Sequence, residues 1–145
     1  NSNLVTFSNS FFMVQHTILS NTMTIRGIQQ DLLSLLLQMG RDAHPNEFVA
    51  LLTERRGVID EVDLLPGTVA REDSASLLYD MMPLSTHVAG SCHSHPNGVL
   101  LPSNADIRFF PRTGRFHVII GYPYTEQDWR CFSSDGQHCR MEVVA

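Results

Sequence analysis

The segment that most constrains the fold is "THVAGSCHSH", residues 86–95, whose length and apolar, small-residue composition predict a buried β-strand. It is followed by "PNGVLLPS", in which two prolines and a glycine predict a loop. "SNADIRFFPR" then predicts a helix that begins at Ser103. A buried strand, a loop and a helix are therefore expected in succession between about residues 86 and 112.

The other patterns predict an α+β fold, with one curved, mixed and largely antiparallel β-sheet flanked by two main helices. Apolar residues at helical spacing from Ile28 to Met39 predict the first helix over about 25–39, ended by Gly40. Strands are predicted at 47–53, 57–65, 76–83 (with a short helix as the alternative), 86–95, 116–122, 129–133 and 139–144.

A chain of 145 residues fits a single domain, which we place at residues 23–145. Residues 1–22 contain no charged side chain and precede Met23, which looks like a natural start. They lack the basic start, apolar stretch and cleavage site of a secretory signal. We expect them to be an upstream extension or a cloning artefact, with a mobile arm as the alternative.

Composition excludes several classes of function. The net charge of -5 argues against a nucleic-acid partner, which favours a basic surface. No apolar run reaches the ~20 residues that span a bilayer, so we expect no membrane partner. The three cysteines form no C-x-x-C pair, which argues against a cysteine zinc site and indicates reduced thiols in a cytoplasmic protein.

Two histidines end the buried strand, and their spacing suits a metal ion. On a strand, His93 and His95 project to the same face about 6–7 Å apart, whereas Cys92 and Ser94 point the other way. Asp106 follows His95 by eleven positions, across a loop long enough to turn back. Two histidines and one aspartate would give the three protein ligands and open fourth position of a catalytic zinc site.

Each of these residues also has a structural interpretation. An isolated H-x-H pair is weak evidence for a metal. Ser103 and Asp106 fit the N-cap and N3 positions of a helix capping box, a role that competes with metal ligation for Asp106. Glu47 opens the apolar stretch "EFVALL" and, taken alone, fits an exposed residue at the start of a strand.

The segment "HSHPNGVLLPSNAD", residues 93–106, matches the pattern H-x-H-P-x6-S-x2-D at every defined position, and in this it resembles the JAMM (MPN-plus) metalloproteases. "HPNEFVALL" resembles the segment that carries the catalytic glutamate in archaeal members. "FHVIIGYPY" followed by "WRCFSSDG" resembles the strands after their metal site. The resemblance covers about residues 25–144.

The resemblance implies one catalytic zinc ion, held by His93, His95 and Asp106. It implies that Glu47 is the general base and that Ser103 steadies the oxyanion. It also implies a fold similar to that of the zinc deaminases, although their own H-x-E and P-C-x-x-C signature is absent here. Four other histidines match no motif position and are interpreted as structural or surface residues: His44, His87, His117 and His138.

The family cleaves amide or isopeptide bonds after the C-terminus of ubiquitin or ubiquitin-like proteins. This chain lacks the long inserted loops of the eukaryotic deubiquitinating members and resembles the minimal archaeal form. The resemblance therefore implies an isopeptidase whose substrate is a small archaeal modifier or a sulfur-carrier protein, with the substrate tail lying as an added strand beside the site.

Two other functions stay open at this point. One is a non-catalytic MPN-type scaffold, although such relatives usually lose metal ligands that this chain keeps. The other is a RadC-type protein associated with DNA repair, which shares a similar histidine segment but fits the acidic charge poorly. The oligomeric state is left open.

Overall fold

The computed structural model describes residues 25–65 and 88–145, and these ranges contain eight strands and two helices. In chain order they are β1 (Gly27–Gln29), α1 (Gln30–Ala43), β2 (Val49–Arg55), β3 (Val58–Leu64), β4 (Val88–His95), α2 (Asn104–Thr113), β5 (Phe116–Gly121), β6 (Trp129–Ser133), β7 (His138–Cys139) and β8 (Glu142–Val144).

All eight strands form one mixed sheet in the order β7-β6-β5-β4-β2-β3-β1-β8. The pairs β1–β3, β1–β8 and β4–β5 are parallel, and the pairs β2–β3, β2–β4, β5–β6 and β6–β7 are antiparallel. The expected α+β fold, with a largely antiparallel mixed sheet and two helices, is therefore confirmed.

One face of the sheet packs against α1 and forms the larger core. Alternate residues of the central strands point to this face because side chains alternate along a strand. The apolar stripe of α1 is buried against them, and the cluster includes Leu32, Leu33, Leu36, Leu37, Ala50, Leu52, Cys92, Val118 and Ile120. Cys92 therefore lies in the core, away from the histidine face, as predicted.

The other face of the sheet packs against α2. Phe110 of α2 is completely buried with Ile119 and Phe132, and Phe109 packs against the same cluster and against Leu51. Phe109 and Phe110 of this smaller core anchor α2 on the sheet. The helix begins at Asn104, so its first turn lies close to the end of β4.

The first helix differs from the prediction at both ends. Residues 27–29 form β1 instead of helix, because they pair in parallel with β3 and β8, which are distant in sequence. Gly40 lies inside α1 and does not end it. A Cβ at Gly40 would lie 2.6 Å from the Tyr124 ring, so the glycine permits close packing of the helix on that ring.

The second helix begins as predicted, with Ser103 at its N-cap. The predicted strand over 139–144 is split into β7 and β8, which lie at opposite edges of the sheet. The predicted element at 76–83 and the proposed boundary at 22/23 lie outside the described residues. Within residues 25–65 and 88–145, no helix is long and apolar enough to cross a membrane.

Candidate metal centre

Strand β4 carries His93 and His95 to the α2 side of the sheet. Both neighbours of His93, Cys92 and Ser94, face the opposite way; the Cys92 thiol is buried among apolar residues, and burial raises its pKa. His93 is 4% exposed, with Phe109 and Phe110 of α2 against its ring. The two imidazoles are therefore held between the sheet and α2.

Asp106 reaches both histidines from the first turn of α2. Its Oδ1 lies 3.3 Å from His93 Nδ1, and its Oδ2 lies 3.0 Å from His95 Nε2. The structure thus brings together the three residues that the sequence predicted as metal ligands. Their assignment as ligands stays a prediction.

Asp106 also completes the capping box of α2. Its Oδ2 accepts a hydrogen bond from Ser103 N at 2.9 Å, and its own N–H donates to Ser103 Oγ at 3.1 Å. The cap orients the carboxylate towards the histidines, so the capping role and the approach to His93 and His95 coexist.

The electrostatics of the cluster favour an ionised aspartate. Burial acts to raise the pKa of Asp106, but hydrogen bonding with His95 and the neighbouring histidines outweighs it and lowers that pKa to about 2. Burial lowers the pKa of His93 to about 4 despite the nearby carboxylate, so His93 is neutral near pH 7. A neutral imidazole and a carboxylate are the forms that bind a metal ion.

The other nitrogen of His95 fixes its tautomer. Nδ1 lies 2.8 Å from the carbonyl oxygen of Val99, which only accepts, so Nδ1 carries a proton. In the neutral ring Nε2 then presents its lone pair to Asp106 Oδ2. Burial opposes protonation there, but hydrogen bonds to Asp106 and Val99 outweigh it and raise the pKa of His95. The position between Nε2 and Oδ2 therefore attracts positive charge.

The donor set fits a zinc ion. Imidazole nitrogen and carboxylate oxygen are common zinc ligands, at about 2.0–2.2 Å. In the part of the chain that the structure describes, no three or more His, Cys, Asp or Glu side chains are already spaced to hold a metal ion. The Asp106 oxygens lie 3.3 and 3.0 Å from imidazole nitrogens of His93 and His95, so the three groups that would hold the ion are in contact with one another.

Glu47 lies beside His95 because of the register between β2 and β4. Val49 pairs with His93, and Phe48 N donates to Ser94 Oγ at 2.7 Å while Ser94 N donates to Phe48 O at 3.1 Å. Continuing this antiparallel register places Glu47 opposite His95 on the same face. The exposed Glu47 charge also contributes to the raised pKa of His95.

The predictions missed two buried polar residues behind His93. Ser91 lies two residues before His93 on the same face of β4, and His117 of β5 pairs with it in parallel register. Both side chains are completely buried. The signal in the sequence was the i, i+2, i+4 series Ser91, His93 and His95, but the partner on β5 depends on strand pairing.

His44 was also interpreted as structural or surface. Its ring stacks on Tyr122 at 4.8 Å between centroids, and its Nδ1 lies 3.0 Å from the Tyr124 hydroxyl. His44 lies three residues before Glu47 in the sequence. It packs the entry to β2 against the segment after β5.

The family model for prokaryotic homologs of the JAB domain matches residues 29–133. A curated protein of Haloferax volcanii, named a probable metalloprotease, is 41% identical over 128 residues, covering 81% of this chain and 79% of that protein.

Solved structures agree with this match. A JAB1/MPN domain protein from Archaeoglobus fulgidus is 35% identical and superposes with a TM-score of 0.67, over 82% of this chain and 99% of that one. A structure described as a JAMM metalloprotease-like zinc site in the proteasome and signalosome is also 35% identical, with a TM-score of 0.68 over 84% and 100% of the two chains. The chain therefore belongs to the prokaryotic JAB-domain family, the JAMM/MPN group of metalloprotease-like proteins.

Proposed function

We propose that this protein is a zinc-dependent isopeptidase or peptidase that hydrolyses the bond after the C-terminus of a ubiquitin-like protein. The observation that carries the proposal is the meeting of His93, His95 and Asp106, with Glu47 opposite His95 in the strand register. Three prospective ligands and one prospective base thus lie near one another at the end of β4.

The metal would be held by His93 Nδ1, His95 Nε2 and the Asp106 carboxylate. When bound there, zinc would supply the Lewis acidity that lowers the pKa of a water molecule towards ~7 and polarises a substrate carbonyl. His93 is neutral and Asp106 is ionised near pH 7, so those two ligands need no proton removed at that pH.

Glu47 is the proposed general base. Its carboxylate takes a proton from the attacking water, the water oxygen adds to the carbonyl carbon, and Glu47 later gives the proton to the leaving amine as the C–N bond breaks. The products are a C-terminal carboxylate and a free amine. Exposure of Glu47 at the entry to β2 suits this role, because the base must reach both water and substrate.

Ser103 is the proposed oxyanion donor. Its Oγ already accepts from Asp106 N, which leaves its own O–H proton free to donate. A donated hydrogen bond would stabilise the negative charge that develops on the carbonyl oxygen. The same residue caps α2, so it is fixed by the element that carries Asp106.

The substrate tail is expected along the loop over 96–102. β4 is paired on both sides, with β2 and β5, so the tail has no free edge of β4 to extend as an added strand. Val99 and Leu101 of the loop are 48% and 65% exposed, and Tyr122 is 55% exposed. These side chains offer apolar contacts for an extended peptide. Small archaeal modifiers and sulfur-carrier proteins are the proposed substrate class.

The test is cleavage of a ubiquitin-like protein fused through its C-terminus to a reporter, using the ubiquitin-like proteins of the source organism. We expect Glu47→Gln to slow cleavage by at least about 10²-fold while zinc content stays near one per chain. Glu61→Gln, which changes an exposed glutamate of β3, is the matched control and should cleave at the wild-type rate.

Wild-type cleavage in Glu47→Gln would remove Glu47 from the mechanism. A purified wild type that holds no zinc and cleaves no fusion would favour a scaffold. Absence of cleavage together with DNA binding at moderate salt would favour a RadC-type role instead.

A further inference from the structure

A chain of three hydrogen bonds runs behind His93, on the side away from Asp106. Ser91 Oγ lies 2.8 Å from His93 Nε2 and 2.7 Å from His117 Nδ1, and His117 Nε2 lies 3.0 Å from the carbonyl oxygen of Gly114. Ser91 and His117 are both completely buried. Buried groups in such a chain must match donor to acceptor at every link.

The direction of these bonds follows from the carbonyl at the far end. Gly114 O only accepts, so His117 Nε2 carries a proton. His117 is neutral, since burial lowers its pKa to about 3 and, among residues 25–65 and 88–145, no carboxylate is hydrogen-bonded to it. Its Nδ1 is then an acceptor, and the Ser91 hydroxyl must donate to it.

The Ser91 hydroxyl has a single proton, which it donates in the hydrogen bond to His117 Nδ1. Towards His93, Ser91 Oγ acts as an acceptor, so His93 Nε2 must carry a proton and donate it. In a neutral ring the lone pair then lies on Nδ1, the nitrogen that faces Asp106 Oδ1 at 3.3 Å.

We propose that Ser91 and His117 are positioning residues that fix His93 in the tautomer with a free Nδ1 lone pair, ready to ligate zinc. The proposal rests on the proposed zinc centre and adds residues that nothing in the motif includes. Ligating histidines commonly donate their other ring N–H to an oxygen, which sets ring orientation and tautomer. Here that oxygen is a hydroxyl whose own direction is set by a second imidazole.

The chain of hydrogen bonds from His93 through Ser91 and His117 to Gly114 O is called the relay below. It also connects the proposed metal centre to the packing of α2. The His117 ring stacks on Phe110 with centroids 4.1 Å apart and an interplanar angle of 6°. His117 therefore has two separable features: an acceptor nitrogen towards Ser91 and a ring face towards Phe110. Substitutions that keep one feature and remove the other distinguish positioning from packing.

His117→Phe keeps a ring for stacking and removes the acceptor. His117→Asn removes the ring but places an amide oxygen near the position of Nδ1, where it can accept from Ser91. Gly114 O keeps a donor in either variant, because Ser134 Oγ donates to it at 2.7 Å. Ser91→Ala breaks the relay at its centre.

The first measurement is zinc affinity, by competition with a chromophoric chelator, together with unfolding midpoints. We expect Ser91→Ala and His117→Phe to bind zinc about 10–100-fold more weakly than wild type. His117→Asn should bind zinc more tightly than His117→Phe even where it unfolds more easily. Thr113→Val, which removes a buried hydroxyl outside the relay, should keep wild-type affinity.

The second measurement is the imidazole ¹⁵N spectrum of the metal-free protein, which needs no bound zinc. We expect His93 and His117 to be protonated on Nε2, and His93 to lose that preference in Ser91→Ala. Wild-type zinc affinity in both Ser91→Ala and His117→Phe, or a wild-type His93 protonated on Nδ1, would overturn the relay. A wild type that binds no zinc but shows the Nε2 tautomer would overturn the proposed zinc centre and leave the relay supported.

Discussion

At the scale of single residues, burial and hydrogen-bond direction set the chemistry of the histidines. His93 and His117 are both buried, and burial lowers both pKa values, to about 4 and about 3. His95 lies nearer the surface, and its bonds to Asp106 and Val99 raise its pKa. Three histidines within one cluster thus respond differently to pH because their surroundings differ.

His117 should make the metal-free protein sensitive to acid. The pKa of His117 is about 6.5 in the unfolded chain and about 3 in the folded protein. Between pH 6.5 and pH 3, His117 therefore binds a proton in the unfolded chain but stays neutral in the folded protein. Its contribution to stability is complete above about pH 6.5 and falls with pH, by up to ~1.4 kcal/mol per unit, until about pH 3.

Urea denaturation of the metal-free protein at several values between pH 7 and pH 5 measures this dependence. We expect His117→Phe to reduce the slope of unfolding free energy against pH. The reduction should correspond to up to one fewer proton bound on unfolding, or up to ~1.4 kcal/mol per pH unit. Thr113→Val should keep the wild-type slope. An unchanged slope in His117→Phe would show that His117 is not neutral and buried.

At the scale of elements, the site depends on where α2 begins. Residues 93 and 95 end one element and residue 106 lies in the first turn of the next, so the loop and the N-cap together decide whether Asp106 reaches the histidines. Ser103 has two roles there. It caps α2, and its hydroxyl is proposed to donate a hydrogen bond to the oxyanion.

Ser103 substitutions separate the two functions. Ser103→Ala should lose about 1 kcal/mol of stability through the missing cap, whereas Ser103→Gly should lose only a few tenths, since glycine is tolerated at the N-cap. Both remove the hydroxyl, so both should slow cleavage of the fusion substrate to a similar extent. Ser103→Thr keeps the cap and the proton and is the control.

These variants are compared by denaturation and by the cleavage rate at saturating substrate. Cleavage rates that follow stability, with Ser103→Gly near wild type, would show that Ser103 acts through the cap alone.

The sequence predicted those features that are determined by residues close together in the chain. The N-cap at Ser103, the face shared by His93 and His95, and β6 over residues 129–133 follow from cap chemistry and strand periodicity. The pairing of β1 with β8 and the packing of Gly40 on Tyr124 depend on distant segments, and no local pattern records them. The Ser91–His117 relay was missed for the same reason.

At the scale of the whole molecule, the sheet separates stability from chemistry. Among the described residues, the α1 face holds most of the buried apolar side chains, and the α2 face holds His93, His95, Asp106 and the Ser91–His117 hydrogen bonds. The proposed zinc ligands come from both β4 and α2. A bound ion would therefore join the sheet to the α2 layer.

Zinc should stabilise the folded protein by mass action. At free zinc one hundredfold above Kd, the unfolding free energy should rise by ~2.7 kcal/mol, and a chelator should reverse the increase. His95→Ala should lose most of this increment. His138→Ala, which changes an exposed histidine at the sheet edge, should keep it. Thermal unfolding with and without zinc measures the effect, and a full zinc increment in His95→Ala would place the ion elsewhere.

Within residues 25–65 and 88–145, two cysteines offer an alternative pair of zinc ligands, which makes the identity of the ligand atoms decisive. Cys131 and Cys139 face each other across β6 and β7 with their Sγ atoms 2.9 Å apart, and His138 is adjacent in sequence. Zinc held there would be bound through sulfur. Zinc at the proposed centre would have nitrogen and oxygen ligands only.

The central claim is tested most directly by zinc K-edge absorption spectroscopy of the protein loaded with one equivalent of zinc. The proposed centre predicts nitrogen and oxygen neighbours at about 2.0–2.2 Å, with the outer-shell scattering of two imidazoles and no sulfur. A sulfur shell at about 2.3 Å, or a spectrum unchanged in His93→Ala, would contradict it.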